Sequence, residues 1–363
     1  MMTERVFNFN PGPAILPVSI LEEAQKEMLN YKGTGMSVIE ISHRSKQFEE
    51  IILGAEALLK ELMGIPDNYR VLFIGMGATG QFDMIPMNYI VDGKIGNYVV
   101  TGSFASKAYK EGAKIGPSHV AASTKELNFT RVANLDEIKM SDNPAFLHLT
   151  SNNTIFGTQW KVFPDTGDVP LIADMSSDIL SKKIDVSKFA LIYAGAQKNL
   201  GPSGSAVIII RQDMIEKSNQ NLPTMFKYDT YANNNSLYNT PASFTIYMIK
   251  LMLEWVKSEG GMDVIEKRNE KKAAIIYDAI DNSNGFYKGH AEQGSRSLMN
   301  ITFRLPNEDQ DKAFVAETAK VGLSGLKGHR EVGGIRASIY NAMPVEGCAK
   351  LAEFMKDFQK KNS

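Results

Sequence analysis

The chain has 363 residues, 43% of them hydrophobic and 22% charged, with 40 Lys and Arg against 41 Asp and Glu for a net charge of −1. That composition supports a sizeable core and excludes a disordered chain, and the charge balance gives no overall attraction to nucleic acid or an anionic membrane. The single cysteine, Cys348, excludes an internal disulfide and any multi-cysteine metal site, and no apolar run reaches the 18 residues of a membrane span.

On length alone about two or three domains are expected. The opening stretch MMTERVFNFNPGP holds no apolar core of a secretion signal, and QKKNS at the other end carries no lipidation or retention signal, so a cytoplasmic location is expected. Helical spacing of apolar residues begins in PVSILEEAQKEMLNYK. It returns in SKQFEEIILGAEALLKELMG, which stops on Gly64 with Pro66 just beyond.

The rhythm then changes. YRVLFI, GNYVVTG, PAFLHLT, VPLIAD, FALIYAG and SAVIIIR are short branched or aromatic runs bounded by turn residues, several separated by helical stretches such as SFASKAYKEGAK. Continuous apolar strands alternating with helices predict an α/β fold with a mostly parallel central sheet covered on both faces. Such sheets bind ligands at the carboxyl ends of their strands. From SFTIYMIKLMLEWVKSEGG the pattern is helical, and the composition shifts near Ser258–Gly261. Beyond that point GMDVIEKRNEKKAAIIYDAID, RSLMNITFRL and EGCAKLAEFMKDFQKK predict a smaller α+β domain.

VLFIGMGATGQF sets Gly75, Gly77 and Gly80 in a G-x-G-x-x-G loop after a strand, the fingerprint of dinucleotide binding. An ordinary strand-to-helix turn has the same look. The dinucleotide reading also wants an acid at the end of the next strand, and that strand ends on Thr101 and Gly102. Lys-Ser/Thr does not follow Gly80, so a P-loop is not indicated either. What survives is a helix start whose backbone N–H groups suit a phosphate.

VPLIADMSSDI ends a strand on Asp174, and FALIYAGAQK ends near Lys198, 24 positions later. In a parallel sheet both side chains can emerge at the ligand edge; a surface salt bridge at the strand ends is the plain alternative. The small, weakly polar residues around Lys198 favour a desolvated amine of lowered pKa, open to nucleophilic use. A phosphate cradle, a carboxylate and an activated lysine are what pyridoxal 5'-phosphate (PLP) requires.

Five stretches carry a resemblance: FNFNPGPAILP, MSVIEISHRSKQF, ADMSSDILSKKIDVSKFALIYAGAQKNLGPSG, YNTPASFTIYM and KGHREVGGIRASIYNAMP. Together they closely resemble the phosphoserine aminotransferase family, among the class V aminotransferases of fold type I, and the likeness runs end to end. The resemblance implies a large PLP-binding domain over residues 17–257, and a smaller C-terminal domain over 258–363 joined by the N-terminal arm 1–16. It implies a homodimer with active sites shared across the interface.

By the same resemblance Lys198 is the Schiff-base lysine and Asp174 the partner of the ring nitrogen, with Gln197 and Thr154 touching the cofactor. Phe104 stands where the family has an aromatic, often tryptophan, stacked on the ring. Asn239 and Thr240 reach the cofactor phosphate from the other subunit. Ala78 and Thr79 occupy the variable pair of the phosphate loop, where some relatives carry an arginine or cysteine. Arg336 holds the substrate carboxylate, and His43, Arg44, His329 and Arg330 form a phosphate-binding set. Arginine suits both anions because its planar fork matches their oxygens. Pro11 replaces a serine common in the family. His119, His148 and His290 match no functional motif and are expected to be structural or exposed.

The implied reaction takes an amino group from L-glutamate to 3-phosphohydroxypyruvate, giving O-phosphoserine; use of the related phosphorylated oxo acid of vitamin B6 synthesis stays open. So do another class V enzyme (an alanine–glyoxylate aminotransferase or a cysteine desulfurase), a nicotinamide-dependent oxidoreductase, and a binding protein without catalysis. Against the desulfurase, Cys348 falls in an amphipathic stretch as a small packed residue. No metal, nucleic acid or membrane partner is expected.

Overall fold

The structure, a computed structural model, describes residues 5–363. A short strand, β1 (Phe7–Asn8), is followed by helices α1 (Val18–Glu27) and α2 (Lys46–Met63). The Ser45 side chain caps α2 by accepting from the Phe48 N–H at 3.3 Å, and Gly64 ends the helix at φ +61°, a left-handed turn that suits glycine.

Next come β2 (Tyr69–Ile74), β3 (Ile95–Val100), β4 (Ser118–Ser123) and β5 (Pro144–Thr150). A small hairpin, β6 (Asn152–Asn153) and β7 (Thr158–Gln159), precedes β8 (Leu171–Asp174), β9 (Leu191–Gly195) and β10 (Ala206–Arg211). Apart from the hairpin these strands form one seven-stranded sheet in the order β2-β10-β9-β8-β5-β3-β4. It is parallel except for β10, which runs against both of its neighbours. Six of the strands fall on the predicted apolar runs. The seventh, β4, reads SHVAAS; it lies at the sheet edge, half exposed, with one branched residue to announce it.

The alternation of the strands sorts their side chains onto two covered faces. Val71, Phe73, Leu149, Ala173, Ile192 and Val207 pack against α1, α2 and α7 (Ser243–Ser258). Leu72, Ile74, Phe146, Ile172, Tyr193 and Ile208 face the opposite layer. That layer holds α3 (Thr79–Tyr89), α4 (Ser103–Ile115), α5 (Gln212–Glu216) and α6 (Tyr228–Asn233). The fold is α/β with a mostly parallel central sheet covered by helices.

After α8 (Met262–Asp281) the chain builds a second, three-stranded sheet from β11 (Lys288–Gly289), β12 (Asn300–Arg304) and β14 (Ile335–Ser338), backed by α9 (Glu308–Lys320) and α10 (Val345–Asn362). Strand β13 (Leu323–Ser324) pairs in parallel with β1, and Phe9 is buried with Ile301, Phe303 and Leu351. Helix α9 has no clear signal in the sequence because it buries little, chiefly Phe314 and Thr318. Among the described residues no helix is long and apolar enough to cross a membrane.

Candidate active site

A cavity of about 500 Å³ opens at the carboxyl ends of β5, β8 and β9. Seven expected residues line it: Ala78, Thr79, Phe104, Thr154, Asp174, Gln197 and Lys198. Asp174 and Lys198 therefore face one space. The sheet's register explains the placement, since Asp174 pairs in parallel with Tyr193 and Lys198 follows five residues later, past the end of β9.

Lys198 Nζ donates to Thr154 Oγ1 at 2.8 Å and stands 5.5 Å from the centre of the Phe104 ring. Burial brings its ammonium down to about 8, against the pull of Asp174 and with the Arg336 charge pushing the same way as burial. Asp174 is 5% exposed, and its Oδ1 accepts from the Ser176 N–H at 2.9 Å. Desolvation raises its carboxyl pKa although the Ser176 hydrogen bond, the Lys198 charge and the neighbouring Tyr193 hydroxyl act the other way. The cavity thus disfavours both charges, the pattern of a site built to receive groups of opposite character.

The glycine loop contributes a helix start. Helix α3 begins at Thr79 with Ala78 as its N-cap and no side chain closing the first turn; the Gln81 N–H is taken by the Ala78 carbonyl at 3.0 Å, and the Ala78 and Thr79 N–H groups are left for an anion. Gly77 takes φ +61°, which turns the loop back toward the cavity mouth. The loop is the strand-to-helix turn its sequence suggests.

Arg336, on β14, is 7% exposed, and its Nε is buried without a partner. Burial depresses the guanidinium pKa, and its charge reaches Lys198. A buried guanidinium with an open hydrogen bond is an anion receptor in waiting. His329 feels the charges of Arg336, Arg330, Lys107 and Glu331, and burial lowers its pKa. His329 and Arg330 line a neighbouring recess rather than the cavity. Glu331 beside them accepts a hydrogen bond from Ser103, the residue before Phe104.

The other expected residues do not meet the cavity within one chain. Asn239 and Thr240 are exposed and line a small separate recess, beyond Met76, which borders both spaces. Arg44 is exposed on the turn before α2, while His43 has its Nε2 buried without a partner. Pro11 offers its carbonyl to the Tyr340 hydroxyl at 2.7 Å, and the next residue, Gly12, lines the cavity.

Sequence reasoning missed the polar floor. Asn152, Ser176, Ser177 and Ser203 also line the cavity. Asn152 Nδ2 donates to Ser177 Oγ at 2.8 Å and to Asn300 Oδ1 at 2.7 Å, tying the hairpin to β12. The serines were visible in ADMSSD and GPSG, but serine near a glycine turn signals loops far more often than sites. Of the unassigned histidines, His148 is buried, while His119 and His290 bond backbone carbonyls near the surface. Cys348 is buried and its thiol is pushed up to about 12, which suits packing and not nucleophilic use.

The model of the family Aminotransferase class-V matches residues 6–351. The phosphoserine aminotransferase of Geobacillus kaustophilus is 57% identical over 358 residues, 99% of each chain. The solved phosphoserine aminotransferase of Bacillus circulans subsp. alkalophilus superposes with a TM-score of 0.98 at 55% identity, covering 99% of this chain and 100% of that one. A PLP-bound phosphoserine aminotransferase from Trichomonas vaginalis superposes at 0.92 with 38% identity, covering 97% and 100%.

Proposed function

Because the chain belongs to the class V aminotransferases, we propose that it carries out the phosphoserine aminotransferase reaction with PLP as cofactor. The amino group of L-glutamate passes to 3-phosphohydroxypyruvate, giving O-phospho-L-serine and 2-oxoglutarate. The observation that carries this reading is Lys198 and Asp174 facing one cavity beside an uncapped helix start. These residues fit the cofactor: Lys198 is lowered to about 8, Asp174 is a buried carboxylate, and the start of α3 is a free anion site.

When bound, PLP supplies an aldehyde that captures amines covalently and a ring that takes up the electron pair released at the substrate Cα. Lys198 is its attachment point. Lys198 Nζ would serve as the base and then the acid for the substrate Cα proton. Thr154 holds that nitrogen within reach, and a pKa near 8 leaves a useful fraction of neutral amine at physiological pH. Asp174 favours a protonated ring nitrogen opposite it. The N–H groups at Ala78 and Thr79 take the cofactor phosphate, Phe104 offers a ring face, and Gln197 an amide.

Arg336 holds the α-carboxylate that both substrates share. His329 and Arg330 read the substrate phosphate with His43 and Arg44, and the last two come from the partner copy of a homodimer, as Asn239 and Thr240 do for the cofactor phosphate. The exposure of Arg44, Asn239 and Thr240 in the single chain, and the unpartnered Nε2 of His43, support that assignment. In the same reading residues 17–257 are the cofactor domain, 258–363 with the arm 1–16 the smaller one, and the enzyme works in the cytoplasm.

Purified protein is expected to be yellow, and borohydride to bleach it while fixing the cofactor to a peptide that contains Lys198. With glutamate as donor, 3-phosphohydroxypyruvate should far outpace unphosphorylated hydroxypyruvate. Equal rates with the two would remove the phosphate-reading set, and a colourless protein that binds NADH would overturn the whole reading.

A further inference from the structure

Behind Asp174, away from the cavity, lies a pair of buried side chains to which the reading above gives no role. His148 on β5, Asp174 on β8 and Tyr193 on β9 share one face of the sheet. Thr150 pairs with Asp174, Asp174 pairs with Tyr193, and His148 stands two residues before Thr150. The Tyr193 hydroxyl reaches across β8 to His148 Nε2 at 2.8 Å, and Asp174, the register partner of Tyr193 on β8, carries the carboxylate whose charge the hydroxyl feels. The pair is sealed: His148 is 1% and Tyr193 0% exposed. Phe82, from the cavity wall, meets Tyr193 edge-on at 6.4 Å, and Tyr98 covers His148 at 5.4 Å.

The direction of this hydrogen bond follows from what is left unpaired. Burial drives the His148 imidazole down to about 3, so it is neutral and carries one N–H. Its Nδ1 is buried without a partner. An orphaned acceptor is tolerated better than an orphaned N–H, which places the proton on Nε2. Nε2–H then donates to the Tyr193 oxygen, and the hydroxyl proton is left to point at Asp174.

We propose that His148 and Tyr193 are positioning residues that hold Asp174 ionised and aimed into the cavity, through a directed chain from His148 Nε2–H to Tyr193 O–H to the carboxylate. The proposal rests on the reading of Asp174 as partner of the cofactor's ring nitrogen. Burial alone raises the Asp174 pKa, and donated hydrogen bonds oppose it by favouring the charged form. With Ser176 N–H and Tyr193 O–H both donating, the carboxylate is a weaker base, and a proton shared with a pyridine nitrogen stays on the nitrogen. Removing the tyrosine hydroxyl strengthens the base and draws that proton toward Asp174.

The test uses holoenzyme loaded with PLP labelled with 15N in the ring, reading the ring-nitrogen chemical shift by NMR and the cofactor dissociation constant. Wild type and His148→Gln, which keeps an amide N–H near the place of Nε2–H, are expected to give the protonated-nitrogen signal. Tyr193→Phe and His148→Leu are expected to move the signal toward free pyridine and to weaken cofactor binding by about tenfold, the scale of one buried hydrogen bond to a charge. The double variant Tyr193→Phe/His148→Leu should be no worse than Tyr193→Phe, since the two act in series. A folded Tyr193→Phe enzyme with the wild-type nitrogen signal would overturn the proposal and leave the pair as packing. A wild-type protein that binds PLP with an unprotonated ring nitrogen would overturn the reading of Asp174 and the proposal with it.

Discussion

Lys198 and Thr154 meet at 2.8 Å in a cavity whose walls come from strand ends and the turns that follow them, whereas Arg44, Asn239 and Thr240 stand exposed on connecting segments of the same chain. The first set is placed by the register of a seven-stranded sheet, so a shift of one residue would turn Asp174 away from the cavity. The second set is placed by loops and has nothing of its own chain to act on. The difference teaches where the site is finished. In the proposed dimer one chain would supply the lysine, the carboxylate and most of the cofactor's surroundings, and a second copy the exposed residues that complete the two phosphate sites.

The strongest way to break that division is to damage each half in a different chain. Lys198→Ala alone should lose at least about 10³-fold in turnover, because positioned proton transfer and the covalent attachment go together. Arg44→Ala alone should lose most turnover with 3-phosphohydroxypyruvate while its absorbance with glutamate stays normal. Mixing the two inactive proteins under conditions that exchange subunits should restore about a quarter of wild-type sites, the share expected when half the dimers are mixed and each has one intact site. If mixing restores nothing while subunits are seen to exchange, Arg44 acts within its own chain and the division is wrong.

A finer comparison separates the two anions. Arg336 should serve both substrates, since each carries an α-carboxylate, while Arg330 should serve only the phosphorylated one. Arg336→Lys keeps the charge but loses the planar fork, so KM for glutamate and for 3-phosphohydroxypyruvate should both rise by about 10- to 100-fold, the scale of a hydrogen bond to a charged group. Arg330→Ala should raise KM for the phosphorylated substrate and leave glutamate within about twofold. Steady-state kinetics with each substrate varied in turn will sort them. Equal effects of Arg330→Ala on both would merge the two anion sites into one.

How much of this was legible in the sequence follows the same line. The central sheet was readable because buried parallel strands are continuous apolar runs, and six of its seven strands stood out. Strand β4 and helix α9 did not, since each buries too few side chains to leave a pattern. Asp174 and Lys198 were readable because a charge that ends an apolar strand is unusual. Arg336 was not, on pattern alone: GGIRASIYNA gives no hint that its guanidinium is 7% exposed with Nε unpaired, and the resemblance singled it out. The link from His148 to Tyr193 spans 45 residues of sequence, and only the strand order brings the two rings together.

The smallest expected effect concerns stability and tests whether the lysine's placement serves function at a cost to the fold. Lys198 falls from the ordinary 10.5 to about 8 in the folded chain. Below pH 8 both folded and unfolded chains hold the proton, and the folded state carries the full penalty of a desolvated cation. Between pH 8 and 10.5 the unfolded chain binds more protons, so stability rises with pH across that window and the penalty is gone above it. Lys198→Met, close in length and uncharged, should therefore raise the melting temperature of the cofactor-free protein at pH 7 by a few degrees, on the order of 2–4 °C for about 2–3 kcal/mol of relieved penalty in a chain of this size. The gain over wild type should shrink steadily from pH 8 to pH 10. A variant that melts at the wild-type temperature at pH 7, or whose gain does not change with pH, would show that the amine is adequately solvated where it stands. Its lowered pKa, and with it the supply of neutral base at physiological pH, would then have to come from the bound cofactor instead of from the fold.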